Sequence, residues 1–254
     1  LNALLNLSTL VHYGSEGNIS IFPPREHCNS QGANDMGVTP EFLPGYQSVQ
    51  DSNARAAFAK AWGCESSGCK GENLVGDLFE NCKNGKIKAL YIAGEDPVHA
   101  YYKGSLALDA LRAVPFLVVQ DVVMTETAQQ ADIVLPAATY AEKPGTFTNM
   151  TRHVQRVASA LLPAAGSKTD FDIFLELAEA LGKPFAVNTV SETQVEIGRL
   201  VPAYKEALPG YESKQWSAAG FAVKPGFAVC QAAAKTSMPK TGYPFKLVTN
   251  NHMF

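Results

Sequence analysis

The sequence has no CxxC pair, no GxGxxG phrase and no internal repeat. Without CxxC, the tight spacings of zinc ribbons and iron–sulfur loops are excluded. Cys64, Cys69 and Cys82 offer two or three soft metal ligands at most, and the five cysteines, with Cys28 and Cys230, read as free thiols. Without GxGxxG, no loop can cradle a pyrophosphate in the ordinary way. No apolar run approaches the roughly 20 residues of a spanning helix, which excludes direct membrane insertion. The N-terminal LNALLNLSTLV lacks a basic leader and a small-residue cleavage site, so it is no signal peptide. Neither charge sign dominates: the formal charge of −3 gives no electrostatic case for nucleic acid or an anionic membrane.

What is present is an ordinary globular balance, 46% hydrophobic and 18% charged over 254 residues, enough for one large or two medium domains. One stretch organises it. Lys88 to Ala93, Pro115 to Gln120 and Ile133 to Leu135 are short apolar runs bracketed by turn residues, the pattern of buried parallel strands. Gly104 to Val114 and Thr125 to Ala131 read as intervening helices, with Glu126 placed where a helix dipole favours an anion. The order predicts an α/β fold with a doubly wound, mainly parallel sheet and irregular flanking segments. Ligands of such sheets sit beyond the carboxyl ends of the strands. There the sequence places Gly94, Glu95, Asp96 and Pro97, then Gln120 and Asp121, then Leu135 and Pro136. Gly94 permits close backbone approach, and Asp96 and Asp121 are acceptors for ribose hydroxyls or a base amino group. The competing reading is that both aspartates cap helices or hold turns.

Elsewhere, Leu1 to Leu10 reads as the end of a helix and Ile19 to Phe22 as a short strand. Residues 23–49 are polar and almost without period. Arg25, His27, Asn29, Gln31, Asn34 and Asp35 suit the lining of a polar cleft, or a plain surface loop. Asn53 to Trp62, with Ala56, Phe58, Ala59 and Trp62 for burial, and Glu72 to Asn84 read as helices. Residues 153–157 alternate as a strand, and Arg152, Gln155 and Arg156 there suit an anion grip or a solvated face. Phe171 to Leu181 is a helix with Asp170 at or near its N-cap, and Glu192 to Leu200 is another, with a further short one around Tyr204. Short strands are expected at Phe227 to Cys230 and Pro244 to Asn250. The start at Leu1 and the strand-like end predict a fragment. Its expected parts are 1–85 with the polar loop, 86–140 as the dinucleotide-binding core, 141–240 as a flanking region, and 241–254 as the start of a truncated domain.

The phrases NSQGANDMGVTPEFLPGYQSV, GEDP, VVQDVVMTETAQQADIVLPAATYAEKPGTFTNMTRHVQR and KTDFDIFLELAEALG, spread over roughly Pro24 to Lys183, resemble the molybdopterin oxidoreductases of the dimethyl sulfoxide reductase type. The resemblance implies a bis(molybdopterin guanine dinucleotide) cofactor carrying molybdenum or tungsten. Gly94, Glu95, Asp96, Gln120 and Asp121 would border its guanosine part, Thr125 its phosphates, and Asp170 its guanine. No metal ligand falls in this chain. The family's iron–sulfur cysteines would lie upstream of Leu1. Within the family, the resemblance points first to the large iron–sulfur subunit of bacterial NADH-quinone oxidoreductase (respiratory complex I), passing electrons from NADH toward quinone. It points second to formate dehydrogenase. Formate dehydrogenases read Arg-Gly-Gln-Asn-Asn-Val-Gln-Gly where this chain has Arg25-Glu26-His27-Cys28-Asn29-Ser30-Gln31-Gly32. Arg25 and His27 are the catalytic candidates, with Arg25 matching a formate-binding arginine. Glu26 adds a carboxylate that would repel formate. The resemblance also implies partner subunits of a respiratory or formate-oxidising complex, with no nucleic acid. Its expected location is cytoplasmic, either free or peripheral on the inner face of the membrane. A third reading is an unrelated α/β module that binds an ordinary nucleotide through Asp96 and Asp121.

Overall fold

The computed structural model describes residues 27–65, 78–101 and 104–205, with Asn6, Leu7, Leu10 and Pro24. The chain divides into two units, Arg25–Ala218 and a second made of Leu1–Pro24 with Ala219–Phe254. Every element below belongs to the first. The strands expected at 19–22, 227–230 and 244–250, the domain start at 241–254, and the greater part of the helix at 1–10 lie outside the described residues.

Residues 27–49 are not the structureless loop that their composition predicts. Ser30–Asp35 forms a helical turn and a half (α1), and Phe42–Leu43 (β1) pairs antiparallel with Gln47–Ser48 (β2). The polar side chains make this possible by bonding one another. Gln31 Nε2 donates to Asp35 Oδ1 at 2.7 Å and to the Tyr46 hydroxyl at 3.0 Å, and Asn29 Oδ1 accepts from the Thr148 amide at 2.9 Å. A six-residue helix held by tertiary bonds has no period to read.

Ser52–Trp62 (α2) starts where Asp51 accepts from the Asn53 amide and stops at Gly63 in the left-handed region. It buries Ala54, Phe58 and Ala59 against Leu43 and Val49. Ala56 is exposed, contrary to expectation. Trp62 stays 44% exposed, with its Nε1 donating to Glu196. Leu78–Lys83 (α3) is the described part of the helix expected at 72–84.

The organising stretch folds as Leu90–Ala93 (β3), Pro97–Ala100 (α4), Gly104–Arg112 (α5), Leu117–Asp121 (β4), a 3-10 turn at Ala128–Gln130, and Ile133–Pro136 (β5). The strands are parallel in the order β3-β4-β5, with Leu90 opposite Leu117 and Val118 opposite Ile133. The α/β class and parallel sheet are therefore as expected. Ile92, Leu111, Leu117, Val119 and Ala128 form the core beneath. Gly104 lets α5 close onto α4: a Cβ there would lie 2.1 Å from the Val98 carbonyl oxygen. The helix expected at Thr125 to Ala131 shrinks to the single 3-10 turn. Ala131 is already extended, and Asp132 turns back to accept from the Leu117 amide at 2.7 Å, so Glu126 has no α-helix dipole to face.

Past β5, Ala137 makes a parallel bridge to Lys168, so the chain entering the next helix runs beside the carboxyl end of β5. Between these points, Gly145–Thr148 (β6) and Val154–Val157 (β7) form an antiparallel hairpin. Asp170–Ala180 (α6), Val190–Leu200 (α7) and Pro202–Lys205 (α8) follow. Val201 and Tyr204 close a small core with Val154.

Candidate functional site

Two polar clusters stand at the carboxyl ends of the strands. The first follows β3. Gly94 turns the chain at φ +64, its amide donates to the Gln120 carbonyl at 2.8 Å, and no heavy atom lies within 4 Å of where a Cβ would be. Glu95 is exposed. Asp96 stands at the N-cap position of α4, yet its side chain does not cap the helix. Instead, Thr127 Oγ1 donates to Asp96 Oδ1 at 2.5 Å, and His99 Nδ1 lies 2.7 Å from Asp96 Oδ2. Burial pushes the Asp96 carboxyl up, but hydrogen bonds from Thr127 and His99 outweigh this and hold it below its ordinary value. The same bond raises His99.

The second cluster follows β4 and spans to α6. Gln120 is buried at the end of β4. The Tyr91 hydroxyl from β3 donates to Gln120 Oε1, and Gln120 Nε2 donates to Asp170 Oδ1 at 2.5 Å. The phenol and the carboxylate thus fix which way the amide points. Burial, and then the Asp170 charge, raise the Tyr91 phenol, which keeps its proton for this bond. Lys143 forms an ion pair with Asp170 Oδ2. Asp170 can do this because the N-cap role belongs to Thr169, whose hydroxyl accepts from the Asp172 amide. The pair opens on a groove of about 400 Å³ between the starts of α6 and α7, lined by Lys143, Thr169, Asp170, Phe171, Asn188 and Thr189.

Two predicted residues have local duties. Asp121 Oδ1 accepts from the following Val122 amide, which holds the turn, and Thr125 Oγ1 accepts from the Ala128 amide and caps the 3-10 turn. Of the catalytic candidates, Arg25 lies outside the described residues. His27 is exposed in the turn before α1, its amide donating to Ser30 Oγ at 3.2 Å. The loop expected to line a polar cleft turns Gln31 and Asp35 inward to Tyr46. Burial and then Asp35 raise the Tyr46 phenol, and burial pushes Tyr204 up to about 12. The guanidinium of Arg152 lies 5.7 Å over the Tyr46 ring, while Gln155 and Arg156, adjacent on β7, are exposed on opposite faces. These three do not form one anion grip. Cys82 is fully buried in apolar packing with Ala110 and Val114, which raises its thiol and makes it a core residue. Cys69 and Cys230 lie outside the described residues. No group of three His, Cys, Asp or Glu able to hold a metal ion occurs among the described residues.

Tyr91, Thr127, His99 and Lys143 are the site residues that sequence reading misses. Tyr91 alone leaves a trace, as the one hydroxyl within an apolar strand.

Of the clustered polar side chains, Lys143 and Asp170 line the open groove, an ammonium donor beside a carboxylate acceptor, while buried Gln120 orients Asp170 from beneath. Comparison with known proteins bears on the family. A family model described as molybdopterin oxidoreductase matches residues 2–180. A Staphylococcus haemolyticus protein carrying the name "Putative formate dehydrogenase" is 42% identical over 202 residues, 78% of this chain and 20% of that protein. A Bacillus subtilis protein of the same description is 40% identical over 199 residues, 77% of this chain and 20% of its own length. Among solved structures, acetylene hydratase from Pelobacter acetylenicus is similar with a TM-score of 0.38 and 27% identity, over 41% of this chain and 15% of that one. The chain spans about a fifth of the length of the curated relatives it matches. With the family model running through α1, the parallel sheet and α6, the chain belongs to the molybdopterin oxidoreductase family.

Proposed function

We propose that this chain supplies the nucleotide-arm site of a formate dehydrogenase-type molybdopterin oxidoreductase. The observation that carries the proposal is the Tyr91–Gln120–Asp170–Lys143 chain of hydrogen bonds, which leads from the carboxyl end of β4 to the groove between the starts of α6 and α7. The named relatives support formate dehydrogenase over the iron–sulfur subunit of NADH-quinone oxidoreductase, to which the sequence phrases point first.

The cofactor, a molybdopterin with molybdenum or tungsten in its guanine dinucleotide form, supplies the redox chemistry when bound. This chain's residues bind and orient. Asp170 accepts from the base, with Gln120 and Tyr91 holding its carboxylate in place. Asp96, set by Thr127 and His99, faces the ribose side. Gly94 keeps the first turn open for close approach. Arg25 pairs with the formate carboxylate and His27 stands beside it. Iron–sulfur clusters and partner subunits of a formate-oxidising complex belong to the rest of the protein, which works in the cytoplasm or at the inner face of the membrane. No helix among the described residues is long and apolar enough to cross a membrane.

The test is formate-dependent reduction of a viologen dye by the full-length protein, with its pterin and metal content measured in the same preparation. Stoichiometric pterin and metal with formate turnover is the expected result. Intact protein that assembles with iron–sulfur partners yet holds neither pterin nor metal would return the NADH-quinone oxidoreductase reading to first place.

A further inference from the structure

α1 is too short to stand alone, since six residues cannot offset the cost of helix nucleation. Tertiary anchors hold it instead. Asn29 Oδ1 accepts from the Thr148 amide on β6 at 2.9 Å. The Asp35 carbonyl accepts from the Gly45 amide at 2.8 Å, and the Asp35 side chain is fully buried. Gln31 Nε2 donates to Asp35 Oδ1 and to the Tyr46 hydroxyl, and that hydroxyl is hydrogen-bonded to Asp35 as well. A single phenol therefore closes a ring of bonds around a buried carboxylate, a group that is costly to leave unpaired.

The backbone is strained at the same place. Among the described residues, Tyr46 at φ +57 and Arg152 at φ +65 are the non-glycine residues in the left-handed region. They meet, with the Arg152 guanidinium 5.7 Å over the Tyr46 ring. A bulky residue persists in that region only when its surroundings hold it there. Here the β1–β2 turn and the β6–β7 turn each supply one such residue, and the two brace each other. The cluster also fixes the segment that enters α1. The Ser30 amide donates to the His27 carbonyl at 3.1 Å and the His27 amide donates to Ser30 Oγ at 3.2 Å, so His27 is tied to the first turn of the helix. Arg25 stands two positions earlier in the sequence.

We propose that Tyr46 is a positioning residue of the substrate site. It fixes α1, and through α1 the catalytic candidates His27 and Arg25, with Arg152 bracing its ring. The proposal rests on the formate reading of those two residues and adds what aligns them. Without the phenol bond α1 is free to shift, and a displacement of about 1 Å in a substrate-binding group costs about a hundredfold in rate.

The test uses the full-length protein loaded with its cofactor. Tyr46→Phe keeps the ring under Arg152 and removes only the hydroxyl. Formate kcat/KM per metal should fall by about ten- to a hundredfold, with pterin content, metal content and the KM for the viologen dye unchanged. Hydrogen exchange followed by mass spectrometry should be about tenfold faster in residues 27–37 and unchanged in β3, β4 and β5. A merely structural role lowers the amount of loaded enzyme and leaves formate kcat/KM per metal at the wild-type value. That result, or unchanged exchange in 27–37, overturns the proposal. If Tyr46→Phe does not fold, Arg152→Gly decides in its place, because glycine suits φ +65 while the guanidinium is removed. Arg152→Gly should lower formate kcat/KM in the same way, and Arg152→Lys should restore most of it. Wild-type kinetics in Arg152→Gly overturn the proposal. Wild-type protein that holds full pterin and metal yet does not turn over formate overturns the formate reading and this inference together.

Discussion

Asp96 shows how far a single carboxylate can be committed before any ligand arrives. Thr127, fully buried, donates to it while accepting from the Val98 amide at 3.3 Å. Thr127→Val removes both roles and leaves a partly buried carboxylate oxygen and a backbone donor to find other partners. We expect a cost of roughly 1–3 kcal/mol, read as a lower denaturant midpoint with an unchanged slope. An unchanged midpoint would mean that water serves Asp96 equally well. His99 adds a pH dependence. Its folded pKa is raised, so its contribution is present below its unfolded value of 6.5 and is lost as pH rises through the folded value. Asp96 is held below its ordinary 3.8, so its contribution is present above that value and is lost as pH falls through the lower folded one. Asp96 and Glu126 are the charges facing His99, and both favour its protonated form. Between these limits the pair is fully charged. The melting temperature of the wild-type chain should exceed that of His99→Gln there, and the difference should fade as pH rises past the histidine. A difference that is flat across neutral pH would show that the bond is worth the same with a neutral imidazole.

At the scale of elements, the contact between α4 and α5 depends on one missing methyl group. Gly104→Ala would set a Cβ 2.1 Å from the Val98 carbonyl oxygen, a backbone atom that cannot rotate away. Overpacking of this kind costs about 1–3 kcal/mol, outweighing the gain of about 1 kcal/mol that alanine brings to a helix. Thermal unfolding should therefore show a destabilised variant, and a stabilised one would mean that α5 can slide without penalty. The same elements show what a sequence can and cannot disclose. β3, β4 and β5 are legible because β-branched residues stand in short runs between turn residues, and α6 because Gly182 ends it and a capping residue begins it. The 3-10 turn reads as a longer helix because its end is set by Asp132 reaching back to Leu117, fifteen residues away. The aspartates at the strand ends are legible as candidates by topology alone. Their partners are not. Tyr91 reaches Gln120 across 29 positions, Gln120 reaches Asp170 across 50, and Lys143 reaches Asp170 across 27. No local period encodes contacts that only the parallel crossover brings together. The polar run from Asn29 to Asp35 misleads for the related reason that its partners, Tyr46 and Thr148, belong to other elements.

At the scale of the whole molecule, the proposed division of labour separates holding the cofactor from doing chemistry with it. Asp170, on the wall of its groove, is assigned to the nucleotide arm, remote in role from the reacting atoms, whereas Arg25 is assigned to the substrate carboxylate. In a full-length protein, Asp170→Ala should lower pterin and metal together, in constant ratio, because both leave with the same arm. Loss of a charge-assisted bond of about 1.5–3 kcal/mol corresponds to a roughly ten- to hundredfold weaker grip. The protein that does retain cofactor should turn over formate at the wild-type rate per metal, since the interaction lost is the same in ground and transition states. Arg25→Ala should do the reverse, leaving pterin and metal content intact and raising the formate KM or abolishing turnover. The pair of variants, assayed for metal, pterin and activity in one preparation each, separates the two roles. Full cofactor occupancy in Asp170→Ala would move the grip on the nucleotide arm elsewhere. Unchanged formate kinetics in Arg25→Ala would remove that arginine from the substrate site, and with it the match between this chain's Arg25 loop and the formate dehydrogenase pattern.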